Sequence, residues 1–299
     1  MKKYDRFGYL FIAPFFIVFS IFGLYPILLT FFMSLTNYKG IGSVYAADFV
    51  GLSQYIRLVQ DDYFLQAFVN TLKIWDVNII AQLTIAFILA VIFSDIRLKM
   101  KGKNFFRAVF YLPNLITLSS VALLFLFILD WQHGSLNMYL LRYGIIDKPV
   151  NWLGQPMTAQ LTVSFIQTWL WFGHTFIILF AGIQGISHEY YEAAMVDGAN
   201  RRQLFFNITI PLLKPILLYV AITSLIGGLQ LFEIPFLLSP NGLGAPEGSL
   251  VTMVLYLYNQ AFKYKNVGYA SAVAYGLFFI ILAFSLAVYR SMFKEEQED

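Results

Sequence analysis

The chain has 299 residues, of which 59% are hydrophobic and only 12% charged, with 31 Phe, 19 Tyr and a mean hydropathy of +0.67. A soluble domain carries roughly a quarter of its residues as charges, so this composition describes a membrane protein. The lack of cysteine excludes disulfides, thiolate nucleophiles and zinc-thiolate sites, and a net charge of +3 over such a length offers no nucleic-acid patch.

A helix that crosses a bilayer needs roughly 20 mostly apolar residues. Six windows meet that length: 9–35, 67–94, 105–130, 158–185, 212–238 and 267–290. The first follows "MKKYDRFG", a basic start that a secretory signal peptide shares. Its apolar run is too long and no small-residue cleavage site follows, so it reads as a retained span, kinked by Pro14 and Pro26. Lys73 and Asp76 lie one turn apart near the outer end of the second span and read as a local pair or as snorkelling side chains. The outer loops are aromatic, amide-rich and punctuated by Gly and Pro, and Trp131 and Trp152 suit an interfacial belt.

Six spans put both termini on one side. With the amino terminus in the cytoplasm, the inner segments hold Lys2, Lys3, Arg6, Arg97, Lys99, Lys101, Lys103, Arg107, Arg201, Arg202, Lys214, Arg290 and Lys294. The outer ones hold Lys39, Arg57, Lys73, Arg142, Lys148, Lys263 and Lys265. The short loop "RLKMKGKNFFR" between the second and third spans decides the orientation most firmly. No linker or repeat separates a second domain, so residues 1–299 read as a single transmembrane domain.

Chemistry-bearing motifs are missing. There is no GxxxxGK[ST] for nucleotide phosphates, and "GLGAPEG" lacks the final glycine of GxGxxG. His133, His174 and His188 fall in separate segments without metal-ligand spacing, and no Ser/His/Asp grouping is visible. No catalytic residue and no metal site is expected; energy for any pumping has to come from another subunit.

Between the fourth and fifth spans lies a polar island on the cytoplasmic side, "EYYEAAMVDGANRRQLFFNITIPLLKP" over 189–215. Ser187 can cap a short helix with Glu189 in its first turn, and Gly198 can take the left-handed conformation that stops it. Residues 200–209 can form a second helix, after which Pro211 and Pro215 start the next span. The plain reading of such a helix, bend and helix is an amphipathic loop folded on its own membrane core.

The pattern Glu192, Ala193, Ala194, then Gly198, then Ile210 and Pro211, with "DGA" and "PLLKP", resembles the cytoplasmic signature of permease subunits of binding-protein-dependent ABC importers. "FVGLSQYIRLVQDDYFLQAFVNT", "FFRAVFYLPNLIT", "GSLNMYLLRYG" with "NWLG", and "KYKNVGYASAVAYGLFFIIL" resemble the carbohydrate, maltose-type branch in order and spacing; "LLSPNGLGAPEGS" departs from it, lacking the usual Thr and Gly-Gly-Pro. The resemblance implies an all-α integral membrane protein with six transmembrane helices, the MetI-like architecture of type I importers. It implies that 187–211 is a coupling segment docked on a separate ATPase: Glu192 meets a basic group there, Ala193 and Ala194 allow close packing, Gly198 holds the bend, and Asp197 belongs to the same coupling set.

A solute path needs polar or aromatic groups facing inward near the bilayer midplane. The fourth span offers Gln167, Thr168, Trp169, Trp171 and His174, and the fifth Ser224 and Gln230. The solute site of the resembled importers lies on the two spans flanking the signature. Carried over by position, it comprises Gln167, Trp169, Trp171, His174, Ser224, Gly228, Gln230 and Leu231. Helix packing is the alternative for each, for His174 above all. Glu233, one turn below the outer end of the fifth span, reads as lining an outer vestibule or as a helix contact.

The resulting expectation is a non-enzymatic permease of a bacterial cytoplasmic (inner) membrane, multi-pass with both termini cytoplasmic. It imports sugars or oligosaccharides with a second permease, two ATP-binding subunits and an extracytoplasmic solute-binding protein. ATP and magnesium serve the ATPase and no cofactor binds this chain. The rivals are a permease for a glycerol-phosphodiester or polyamine; a secondary transporter, which would need inverted repeats around a mid-depth carboxylate; and a purely structural or assembly membrane protein, which would not need the exposed knob.

Overall fold

The computed structural model describes residues 2–94 and 101–293; Arg97, Lys99 and Lys294 of the basic segments lie outside the described residues. Within them the backbone is helices and turns, with an isolated bridge between Thr36 and Phe49. The helices are α1 (Lys2–Phe19), α2 (Tyr25–Ser34), α3 (Ser53–Val59), α4 (Asp62–Ser94), α5 (Lys103–Leu115), α6 (Leu118–Ile128) and α7 (Ser135–Arg142). They continue with α8 (Pro156–Gln184), α9 (His188–Val196), α10 (Arg201–Leu204), α11 (Ile210–Leu229), α12 (Glu233–Leu238), α13 (Met253–Tyr258) and α14 (Val267–Phe293).

Five stretches are long and apolar enough to cross a membrane: Phe7–Ser34, Asp62–Ser94, Pro156–Gln184, Arg201–Leu238 and Val267–Met292. The span expected over 105–130 is broken, with α5 and α6 meeting at 94°. Pro113 has no N–H for the carbonyl of Val109, which weakens the last turn of α5. Ile116 is then extended (φ −82°, ψ 138°), and the Thr117 hydroxyl starts α6 afresh by accepting the Ser120 amide at 3.4 Å.

Two spans carry a widened turn in the same relation to a proline. Ser20–Leu24 and Phe205–Thr209 are π turns, closed by the Tyr25 amide on the Ser20 carbonyl and the Ile210 amide on the Phe205 carbonyl. Pro26 and Pro211 offer no N–H to the carbonyls four residues back, Phe22 and Asn207, and each of those sits mid-turn. The kink expected from Pro26 takes this form, whereas α1 runs through Pro14 unbroken. The fifth span also starts earlier than expected, because α10, the π turn and α11 are one continuous helical run from Arg201 to Leu229.

Contacts gather the chain into two compact units, Met1–Leu65 with Tyr256–Phe279 and Gln66–Leu255 with Ile280–Asp299. In the first, Asp61 caps α4 by accepting the amides of Tyr63 (3.0 Å) and Phe64 (3.4 Å), and accepts the hydroxyls of Tyr256 (2.5 Å) and Tyr269. Burial alone would push its carboxyl up, but the two hydroxyls and two amides outweigh that and hold it below its ordinary value.

In the second unit, α4 and α8 run parallel and are stitched at a nearly constant offset. The Ser164 hydroxyl donates to the Ile74 carbonyl (3.0 Å), the Thr168 hydroxyl to Asn78 Oδ1 (3.1 Å), and Gln82 Nε2 to Thr175 Oγ1 (2.6 Å). Such bonds in hydrocarbon average about 0.6 kcal/mol each, but together they decide which faces meet. α5 crosses α8 at Gly173, where a Cβ would collide with the backbone carbonyl of Phe110. Phe93, Phe110 and Phe176 meet edge to face beside Leu179, Phe180 and Leu213. A second core joins α6, α8 and α12 through Val121, Phe125, Ile166, Leu170 and Ile234. The buried Asn137 gathers the loop between α6 and α8: its amide donates to the carbonyls of Trp131 (3.0 Å) and Val150 (2.9 Å), and its oxygen accepts the Val150 amide (3.3 Å) and the Trp152 indole N–H (3.0 Å).

Candidate functional site

The island folds into the helix, bend and helix that its capping residues dictate. Ser187 Oγ accepts the Glu189 amide at 3.3 Å and starts α9. Gly198, at φ +83°, stops it: the Gly198 amide returns to the Met195 carbonyl (3.1 Å) and the Ala199 amide to the Ala194 carbonyl (2.9 Å), a Schellman ending. Asn200 Oδ1 then accepts the amides of Arg202 and Gln203, both at 3.0 Å, while Gln203 Oε1 accepts the Asn200 amide at 2.8 Å, a capping box. The second helix expected over 200–209 is therefore the short α10 followed by the π turn. The Tyr191 hydroxyl and Thr209 Oγ1, 3.0 Å apart, tie α9 to that turn. Glu192, Ala193, Asp197 and Gly198 are exposed and Ala194 half-buried. Tyr190 and Met195 are exposed beside them, and Val196 is 87% exposed, so the elbow presents apolar surface as well as charge.

Higher in the same unit α4, α8 and α11 enclose a cavity of about 170 Å³. Its walls are Trp75, Asn78 and Gln82 from α4; Gln167, Trp171, His174 and Thr175 from α8; and Thr223, Ser224 and Gly228 from α11, with Gln230, Leu231 and Glu233 beyond. Amides, hydroxyls and indoles thus converge on a largely apolar space, the make-up of a small-molecule pocket. The His174 ring lies between Tyr111 (6.3 Å, 29°) and Trp171 (5.8 Å, 89°).

Of the eight residues expected on the solute path, Gln167, Trp171, His174, Ser224, Gly228, Gln230 and Leu231 line this chamber. Trp169 does not. It is two residues from both Gln167 and Trp171, roughly 200° around the helix, and its ring packs edge-on against Phe125 at 5.5 Å in the α6 core. The wall contributed by α4 lies outside that expectation. Asn78 and Gln82, two amides in an apolar span, were the available signal, but attention to charge singles out Lys73 and Asp76, which are exposed and unpaired with each other. Glu233 lines the chamber from the start of α12.

Residues 82–294 match the family described as binding-protein-dependent transport system inner membrane component. The chain is 37% identical to the lactose transport system permease protein LacF of Rhizobium radiobacter, over 95% of this chain and 93% of that one. It is 36% identical to the arabinooligosaccharides transport system permease protein AraP of Bacillus subtilis, over 93% and 86%. Among solved structures, a chain of a bacterial ABC transporter involved in the import of the acidic polysaccharide alginate has the same fold, with a TM-score of 0.82 at 23% identity over 98% of this chain and 96% of that one. A family match over most of its length, with relatives this similar end to end, establishes that the chain belongs to the inner membrane components of binding-protein-dependent transport systems.

Proposed function

We propose that the chain is the permease subunit of an ATP-driven importer of sugars or oligosaccharides, that its chamber is a station on the solute path, and that residues 187–211 couple it to a separate ATPase. One observation carries this reading: the helical run that begins in the elbow at Arg201 is the run whose last turns, at Thr223, Ser224 and Gly228, wall the chamber. Its length is roughly 40 Å at 1.5 Å per residue. From the other side α8 lines the chamber with Gln167, Trp171 and His174 and ends at Gln184, just before the cap of α9. A push on the elbow therefore acts on two chamber walls through rigid rods.

The chemistry of the walls matches a hydroxylated ring. Amides and hydroxyls exchange hydrogen bonds with sugar hydroxyls, and the indole of Trp171 covers an apolar ring face. Named relatives transport lactose and arabinooligosaccharides. In this reading Glu192 meets a basic group of the ATPase, Ala193 and Ala194 let its backbone approach, Gly198 holds the bend, and Asp197 is part of the same docking surface. The chain performs no catalytic step; ATP and magnesium belong to the partner. Both termini lie in the cytoplasm, and a second permease, two ATP-binding subunits and the solute-binding protein complete the assembly. In proteoliposomes holding that assembly, sugar uptake is expected only with both ATP and the binding protein present. Uptake driven by an ion gradient without ATP, or import of a phosphodiester or polyamine in place of any sugar, overturns the reading.

A further inference from the structure

We propose that Trp75 is a specificity-determining residue: its indole, seated on Gly228 and bonded to the Ser224 carbonyl, limits the chamber to a single sugar ring in this conformation and gives that ring a flat apolar wall. The inference rests on the transport reading above and adds to it the size of solute the chamber admits.

Trp75 comes from α4, whereas the residues expected to meet solute lie on α8, on α11 and just beyond it. Two constraints fix its ring. Nε1 donates to the carbonyl of Ser224, 149 residues away, at 3.2 Å. The ring also occupies the space that a side chain at position 228 would need: a Cβ on Gly228 would collide with Cδ1 of Trp75 and come within 2.6 Å of Nε1 and 2.7 Å of Cγ. The absence of a side chain at Gly228 is thus what lets the indole lie against α11. Trp75 is half-buried, and the surface that α11 leaves uncovered lines the cavity.

Size follows from this seat. At about 170 Å³ the chamber is smaller than the roughly 300 Å³ at which pockets begin to hold drug-sized ligands. Trp75 and Trp171 are the bulkiest side chains in its lining. Removing the Trp75 indole joins its volume to the chamber and takes away one aromatic face.

The test uses the complete transporter in proteoliposomes, with ATP and excess binding protein. Arabino- and galacto-oligosaccharides of one to four units serve as the probes. The quantity read is kcat/KM for the longer sugar divided by that for the shorter, variant against wild type. The selectivity of the binding protein cancels in that comparison, and so does the amount of folded protein, so a merely structural role would leave it unmoved. Trp75→Ala is expected to raise the long-to-short ratio by about tenfold or more, the scale on which pockets resolve small differences in ligand size. Trp75→Phe, which keeps a flat ring but loses the N–H and part of the bulk, should shift it less in the same direction. Gly228→Ala should move it with Trp75 itself intact, because the ring is unseated. If the alanine variant does not assemble, the other two decide. Unchanged ratios in assembled variants that still import sugar overturn the role of Trp75 and leave the transport reading standing. A wild-type complex that takes up none of these sugars, nor any other, overturns the transport reading instead.

Discussion

The elbow and the chamber are built by opposite means. In the elbow nearly every shaping bond is local: Ser187 to Glu189, Gly198 to Met195, Ala199 to Ala194, Asn200 to Arg202 and Gln203. In the chamber the bonds are remote, from Gln82 to Thr175 across 93 residues and from Trp75 to Ser224 across 149. The elbow therefore holds its shape by itself and leaves Glu192, Met195, Val196 and Asp197 exposed. The chamber exists only where three helices have already packed, and its walls are only as well placed as that packing.

Two glycines put this contrast at risk most sharply. Gly173→Leu should have the largest effect. The obstacle there is the Phe110 backbone, which cannot swing aside as a side chain can, so α5 and α8 must separate. Overpacking typically costs 1–3 kcal/mol, and a backbone obstacle should bring the loss to about 3 kcal/mol or more, read as little folded protein in detergent size-exclusion profiles. Gly198→Val meets nothing within 4 Å and is strained only through φ +83°. Its cost of about 1–3 kcal/mol should stay within the elbow: the protein assembles, ATP is hydrolysed, and uptake falls at least about tenfold. Gly198→Asn, which tolerates the left-handed region, should restore most of the coupling. If Gly198→Val removes as much folded protein as Gly173→Leu, the elbow is not self-standing and the contrast fails.

Smaller effects refine the same picture. Asn137→Ala leaves the gathered loop carbonyls and the Trp152 N–H without partners, at about 1–3 kcal/mol. Protease added from outside should then cut between 131 and 152, with transport little changed. Asp61 gives a pH test. Its carboxyl is held below its ordinary value, so the stability it adds is present above that value and lost as pH falls through the lowered one. Thermal melting of the wild type should drop below about pH 4, and Asp61→Asn should flatten that drop. Thr168→Val removes one stitch between α4 and α8, about 0.6 kcal/mol, and should move the melting temperature by under about 3 °C.

How much of this could be read beforehand follows the same division. The elbow was legible because Ser187 and Gly198 act on their immediate neighbours; the box formed by Asn200 and Gln203 was equally local and went unread. The apolar spans were legible from length alone, but a hydropathy window is blind to direction, so the 94° break passed unseen despite Pro113 and the Thr117 cap. On α8, helical phase separates Trp169 from Gln167 and Trp171, and composition alone does not. Trp75 meeting Gly228 could not be read at all, because no local rule pairs two positions on different spans. The link between the "GSLN" and "NWLG" segments is likewise visible only in space: the Trp152 indole N–H donates to Asn137.

The π turn at Phe205–Thr209 has a directional consequence. One surplus residue in a helical turn rotates everything before it by roughly 100° about the axis. The azimuth at which Arg201–Leu204 joins the rod is therefore set at the turn before Pro211, and deleting a single residue from 205–209 would aim the elbow into the wrong quadrant while the rod beyond Ile210 stayed in register.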